Sequence, residues 1–349
     1  MMFRSSNLAA VSALLWAVAS QCAMSQVDVS HAAFQQALAE FRAGHYSAAV
    51  TMFDRAEEGS PGKTEALLYK AKALIHLENF GEAERAVRIY LQSHRDSSDG
   101  LYLLGFVLHR QQRPRESLEV YTRAASISTP TGDDLKVVGL NYVLLDDYSD
   151  AIQWLEKAVE YDPKNRDAWY YLGRSYYTKA MLAEAREAFL KVLDLNPEDA
   201  KAENNLGLIF ETSGQPAAAI EAYQKAIAWE EKSEHPSEQP YVNLGNLFMQ
   251  EGKSKEGLAA LERAVTIAPD NAFCRMKLGV AYREAGKLED SRRELEKATQ
   301  LAPDNPATHY QLGRLYKDLH LADRAQAEFD RTAELQGQAA GSKAASPDR

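Results

Sequence analysis

Apolar and polar residues alternate along this chain with a helical period, and the helical blocks themselves recur. Small residues mark the recurrence. Ala37, Ala71, Gly105, Gly139, Gly173 and Gly207 follow one another at steps of 34 residues, a step of 38 leads to Gly245, and steps of 34 return for Gly279 and Gly313. With each small residue numbered as position 8 of a block, positions 4, 7, 8 and 11 share one face of a first helix. Positions 20, 24 and 27 form the inward face of a second helix. Ala at position 20 (Ala49, Ala83, Ala151, Ala185, Ala219, Ala325) faces the small residue at 8, which lets the two helices approach closely.

Breakers fall between these helices. Gly44, Gly214, Gly252 and Gly286 stand where a left-handed cap would end the first helix. Pro61, Pro163, Pro197, Pro269 and Pro303 follow the second helix and stop it. A helix pair of this kind has no core of its own. Nine of them stacked bury one continuous apolar core.

The pattern resembles the tetratricopeptide repeat family, whose W-x2-L-G-x2-Y, A-x3-F and P signature is complete in Trp169, Leu172, Gly173, Tyr176, Ala185, Phe189 and Pro197. Gly279, Tyr282, Leu295, Ala298 and Pro303 carry a partial copy; Gly139, Tyr142, Ala151, Ala158 and Pro163 carry another. The resemblance covers residues 30–335 and implies an all-α, right-handed superhelical solenoid of about nine helix-turn-helix repeats. The first two copies have Ala at position 8, and the third has Pro114 and Ser117 at unusual places. The four extra residues fall near 229–240, expected as a longer second helix and a polar loop broken by Pro236 and Pro240. Residues 336–349 are small and polar and are expected to be disordered.

The first 25 residues differ from the rest. Arg4 precedes an apolar run from Leu8 to Ser20, and small residues follow, with cleavage expected after Ser20 or Ser25. This reads as a secretory signal and predicts export to a periplasmic or extracellular site, with an uncleaved N-terminal anchor as the alternative. Cys22 lacks the residues of a lipidation motif before it. Cleavage after Ser25 leaves Cys274 as the single cysteine, so no disulfide framework is expected.

The resemblance also implies that the first helices line a concave groove. On such a helix positions 2, 6, 9 and 13 lie opposite the core, flanked by 5 and 12. The groove set changes along the chain. The first five repeats offer Phe34, Phe41, Tyr69, Tyr102, Phe106, Val137, Leu140, Tyr170, Tyr171 and Tyr177, with Arg174 beside them. The last four offer Asn204, Asn205, Asn243, Asn246, Lys277, Arg283, Arg314 and Lys317. Rings supply buried area and amides pair with both N–H and C=O of a peptide, so the set points to an extended peptide or protein partner. Asn205 and Asn243 at position 6 are similar to the asparagine ladder of the solenoid in O-linked N-acetylglucosamine transferase. Tyr171, Lys277 and Gln311 interrupt that ladder. The carboxylate clamp of chaperone-tail-binding members is matched at Asn243 and Lys277, while Phe273 stands where it needs a lysine. The competing reading packs the rings between neighbouring repeats and leaves the asparagines as solvated surface. Glu65, Asp99, Asp133 and Asp167 share position 2, which opens a helix and favours acids on dipole grounds alone.

Composition narrows the function classes. The net charge of -10, without a basic cluster, argues against nucleic acid or anionic lipid as the main partner. The eight histidines form no i, i+4 pair and no HExxH, and no phosphate loop, dinucleotide fingerprint or nucleophile elbow is present. No catalytic residues, metal ligands or cofactor are expected. The sequence therefore predicts a non-enzymatic scaffold that holds a protein segment in its groove, or alternatively a structural assembly subunit of a bacterial cell-envelope complex.

Overall fold

The computed structural model describes residues 32–57 and 65–344. The expected signal segment, the loop proline Pro61 and residues 345–349 lie outside the described residues. Among the described residues every regular element is a helix. The chain divides into two units between Asn165 and Arg166.

The first unit holds α1 (32–42), α2 (Tyr46–Glu57), α3 (Ala66–His76), α4 (Phe80–Ser93), α5 (Ser98–Arg110), α6 (Pro114–Ala125), α7 (Gly132–Leu144) and α8 (Tyr148–Tyr161). The second holds α9 (Arg166–Thr178), α10 (Leu182–Leu195), α11 (Ala200–Thr212), α12 (Pro216–Glu230), α13 (Gln239–Gln250), α14 (Ser254–Ile267), α15 (Ala272–Glu284), α16 (Leu288–Leu301), α17 (Pro306–Asp318) and α18 (Ala322–Ala344). Odd-numbered helices are the first helices of their repeats. Within each unit a first helix packs on its own second helix and on the first helix of the next repeat, as α5 does on α6 and α7, and α15 on α16 and α17.

Close helix approach rests on the small residue at position 8. A Cβ on Gly207 would come within 2.4 Å of the Tyr223 ring, and one on Gly105 within 2.6 Å of the Tyr121 ring. Position 24 supplies the large side chain that fills the space: Phe53, Tyr121, Leu155, Phe189, Tyr223, Leu261 and Leu295 are all buried there.

The first helices end alike in all nine repeats. Position 15 is left-handed at Gly44, Gly214, Gly252 and Gly286, with φ of +81°, +70°, +74° and +74°. It is equally left-handed at Glu78, Gln112, Asp146, Ala180 and His320, with φ between +56° and +61°. The glycines show the cap in sequence; the five side-chain-bearing residues adopt it because the helix pair requires it. Second helices stop two residues before Pro163, Pro197, Pro269 and Pro303.

The unusual third repeat has a physical explanation. Pro114 occupies the first turn of α6, where no intrahelical N–H is needed. Ser117 replaces the usual Ala at position 20 and its hydroxyl donates to Gly105 O at 2.7 Å. Ser291 makes the same bond to Gly279 O at 2.7 Å. The four-residue insertion follows α12, which runs one residue past its 14-residue counterparts α10 and α14. Its loop is closed by Ser237 N donating to Glu230 Oε2 at 2.7 Å.

One expectation fails at the C-terminus. Residues 336–344 are not irregular but continue α18 to Ala344. The stretch is rich in Ala, the best helix former, and holds no Pro before Pro347.

Candidate functional site

The first-helix faces of the two units differ. In the first unit Tyr102 and Phe106 pack against Tyr121, Val137 and Val138. The Tyr102 hydroxyl donates to Ser128 O at 2.7 Å. These rings were expected to face a ligand; they are half-buried, and their packed sides lie between neighbouring repeats. Phe34, Phe41 and Tyr69 do the same around Phe53. Beneath them runs a buried polar chain. Asn141, fully buried, donates from Nδ2 to Ser117 Oγ at 2.8 Å. Its Oδ1 lies 2.9 Å from His109 Nδ1, which therefore carries the proton. Burial holds His109 below its ordinary pKa, the bond to Asn141 opposes this, and Arg110 adds to it.

In the second unit part of the aromatic and amide set is likewise committed. Tyr170 meets Tyr171 and Phe189 edge-on, with centroids at 5.5 and 5.8 Å. Asn205 Nδ2 donates to Lys201 O at 2.7 Å and reaches Tyr170 Oη at 3.5 Å. Tyr177 Oη and Thr212 Oγ1 share a hydrogen bond of 3.0 Å. Arg174 is exposed.

The asparagines share a second role. Asn204 and Asn243 are only 6% and 9% exposed, and of the two only Asn243 lines a hollow formed by α11, α13 and α15. Asn243 Nδ2 donates to Asn204 Oδ1 at 2.9 Å, and Gln239 Nε2 donates to Asn243 Oδ1 at 2.9 Å. The pair is an amide staple between α11 and α13. A buried amide stays in place only when it is bonded in this way.

A hollow of about 560 Å³ opens on the first-helix face of the second unit. α11 contributes Leu208 and Glu211, α13 Asn243, Asn246, Met249 and Gln250, and α15 Lys277, Val280, Ala281 and Glu284. Its lining mixes apolar side chains with amides and charges of both signs. Of the residues expected from sequence, Asn243, Asn246 and Lys277 are brought together here, while Arg314 follows on α17 at the same position 9 as Asn246 and Val280. Leu208, Glu211, Met249, Gln250 and Glu284 were missed, although their positions 9, 12 and 13 mark them by register alone.

Among the described residues no group of three or more His, Cys, Asp or Glu is placed to hold a metal ion. No described helix is long and apolar enough to cross a membrane. Cys274 is buried, and burial pushes its thiol up to about 11. The position 2 acids Asp99, Asp133 and Asp167 sit in first helical turns. Asp133 is bonded to Lys136 at 2.7 Å and to Asn165 at 2.8 Å rather than lining a track.

Known proteins place this architecture. BBSome complex member BBS4 of Bos taurus is 25% identical over 210 residues, which span 59% of this chain and 40% of that protein. The DnaJ protein P58IPK homolog of Arabidopsis thaliana is 23% identical over 259 residues, 67% of this chain and 54% of that one. The chain thus spans about half or less of the length of these relatives. A tetratricopeptide repeat protein of Parabacteroides merdae superposes with a TM-score of 0.59 at 19% identity, over 72% of this chain and 97% of that one. The Cut9 and Hcn1 hetero-tetramer structure gives 0.57 at 13% identity, over 77% and 52%. Profiles of the tetratricopeptide repeat match residues 34–98, 71–132, 143–206, 200–233 and 238–271, and a TPR repeat profile matches 279–319. With matching repeats along most of its length and the same helix pair built nine times, the chain belongs to the tetratricopeptide repeat family, whose members are protein-interaction scaffolds.

Proposed function

We propose that this chain is a non-enzymatic scaffold that holds an extended segment of a protein partner along the first-helix face of its second unit. The observation that carries this reading is the open hollow between α11 and α15. Apolar Leu208, Met249 and Val280 offer burial there, and Asn246, Gln250 and Lys277 offer hydrogen bonds to a peptide backbone. On the same face of the first unit the rings are half-buried against one another. The second reading is a permanent subunit of a larger assembly. It is supported by relatives named as members of complexes, BBS4 of the BBSome and subunit 3 of the anaphase-promoting complex. An exported, cell-envelope setting belongs to both readings on the strength of Arg4 and the apolar run from Leu8 to Ser20.

Affinity capture with the chain and with an Asn246→Ala, Lys277→Ala variant separates them. Partners lost from the variant support the groove. Partners kept at fixed stoichiometry by both move binding to other surfaces and favour the assembly subunit.

A further inference from the structure

The stack ends on a charged joint that two successive repeats build alike. At position 4 of the first helix, the first five repeats carry Ala33, Leu67, Leu101, Leu135 and Trp169, whereas the eighth and ninth carry Arg275 and His309. Arg275 on α15 donates from Nε to Pro269 O at 2.6 Å and from Nη1 to Glu294 Oε2 at 2.6 Å. His309 on α17 occupies the same socket. Its Nε2 lies 2.8 Å from Pro303 O and its Nδ1 2.6 Å from Glu328 Oε2. The two prolines share position 32 of the preceding repeat, and the two glutamates share position 23. Both side chains are largely shielded from water, at 17% and 13% exposed.

The socket offers acceptors only. A carbonyl oxygen and an ionised carboxylate cannot donate, so each bond needs an N–H on the side chain that enters. Arginine supplies both at any physiological pH. Imidazole supplies both only when each ring nitrogen carries a proton, because the neutral ring has one donor and one acceptor. A neutral His309 would set a lone pair against Pro303 O or against the Glu328 carboxylate.

What the two bonds hold is the last helix. α18 packs on α17 and on no other described helix. A terminal element of a repeat stack has a neighbour on one side only and opens on its own. The other charged groups around this joint are Glu296 and Lys297 of α16, Arg283 of α15, Asp304 of the loop, and Arg324 and Arg331 of α18. Glu296 accepts from Tyr316 Oη at 3.0 Å, Arg283 reaches Asp318 at 3.4 Å, and Arg331 is paired with Asp304 at 3.1 Å. Arg324 lies over the Tyr316 ring, and Lys297 lines a hollow with Arg275. Glu328 supplies the carboxylate bonded to His309.

We propose that His309 is a pH-sensitive latch on α18: as an imidazolium it ties α17 both to Glu328 and to the loop at Pro303, and loss of either proton loosens the last helix. The closed joint binds a proton that the open one gives up, so the latch is shut in acid and opens as pH rises. The eighth repeat, with Arg275 in the socket, stays shut throughout.

The test is hydrogen exchange of the full chain read by mass spectrometry at about pH 5 and about pH 8, which bracket the range in which imidazole titrates. Rates are corrected for the intrinsic pH dependence of exchange. Residues 322–335 of α18 should be protected about tenfold more in acid, the scale of one lost hydrogen bond to a charged group, while α16 shows no such step. The readout is local to α18, which keeps it apart from any titration in the first unit. His309→Arg copies the Arg275 socket and should keep α18 protected at both pH values. His309→Gln donates to one acceptor only and should leave α18 at the lower protection at both. Equal protection of the unaltered chain at the two pH values overturns the latch. A step that survives in His309→Arg overturns it as well, because the titrating group then lies elsewhere.

Discussion

The two units are built from one repeat and do different things with it. Position 9 of a first helix is Leu38, Lys72, Phe106 and Leu140 in the first unit, and Arg174, Leu208, Asn246, Val280 and Arg314 in the second. Phe106 packs onto its neighbours and is half-buried. Asn246 and Val280 line an open hollow. The core positions 4, 7, 8, 11, 20, 24 and 27 hold the same kinds of residue in both units. The lesson is that the repeat signature specifies the scaffold, while the positions outside it decide whether a face is filled by the protein or left for a partner.

Over-packing a shared core position should break both units alike, with the largest effect. Gly207→Leu drives a side chain into Tyr223, and the unfolding free energy should fall by about 3 kcal/mol, the upper end of the over-packing range. Chemical denaturation followed by circular dichroism checks it. Unchanged unfolding would contradict the pairing of positions 8 and 24.

The buried polar chain belongs to the first unit only. Asn141→Leu leaves His109 without its acceptor, and should destabilise by about 1–2 kcal/mol in the same assay. The staple between α11 and α13 offers the matching test in the second unit. Asn204→Leu strands the Asn243 amide and should cost a similar amount, about 1–2 kcal/mol, with weakened partner binding as the hollow's wall shifts.

Much of this was legible beforehand, for reasons that can be named. The 34-residue step, the small residue at position 8 and the prolines report local geometry, which a sequence carries directly. Gly44, Gly214, Gly252 and Gly286 gave away the left-handed cap. Glu78, Gln112, Asp146, Ala180 and His320 did not, because nothing in their chemistry asks for positive φ. The site was harder. A single-helix projection puts Asn204 and Asn243 at positions 5 and 6, facing away from their own core. It cannot see that the next first helix brings one against the other across the 38-residue step. Tyr102 and Phe106 were half legible for the same reason: a large ring at the edge of the core stripe turns one side toward the neighbouring repeat, which only the assembled stack reveals.

Smaller effects sharpen the comparison further. Ala180→Gly relieves a left-handed alanine and should raise stability by about 1 kcal/mol, read as a higher melting temperature. The smallest expected effect is the pH dependence that His109 contributes in the first unit. His109 is held below its ordinary pKa in the folded state, so the unfolded chain takes up that proton first as pH falls. Its contribution to stability is complete above about pH 6.5 and is lost as pH falls below it. His109→Gln should flatten that part of the melting-temperature profile between pH 7 and 5, while Gly207→Leu should leave its slope unchanged.

The most direct test of the central claim places one photo-crosslinking residue, benzoylphenylalanine, at Asn246 or at Leu140, the same position 9 in the second and first units. Each full-length protein is irradiated with its captured partner. Crosslinks from 246 and none from 140 are the predicted result. Equal crosslinking from both, or from 140 alone, would contradict the division between a self-filled first unit and an open second one.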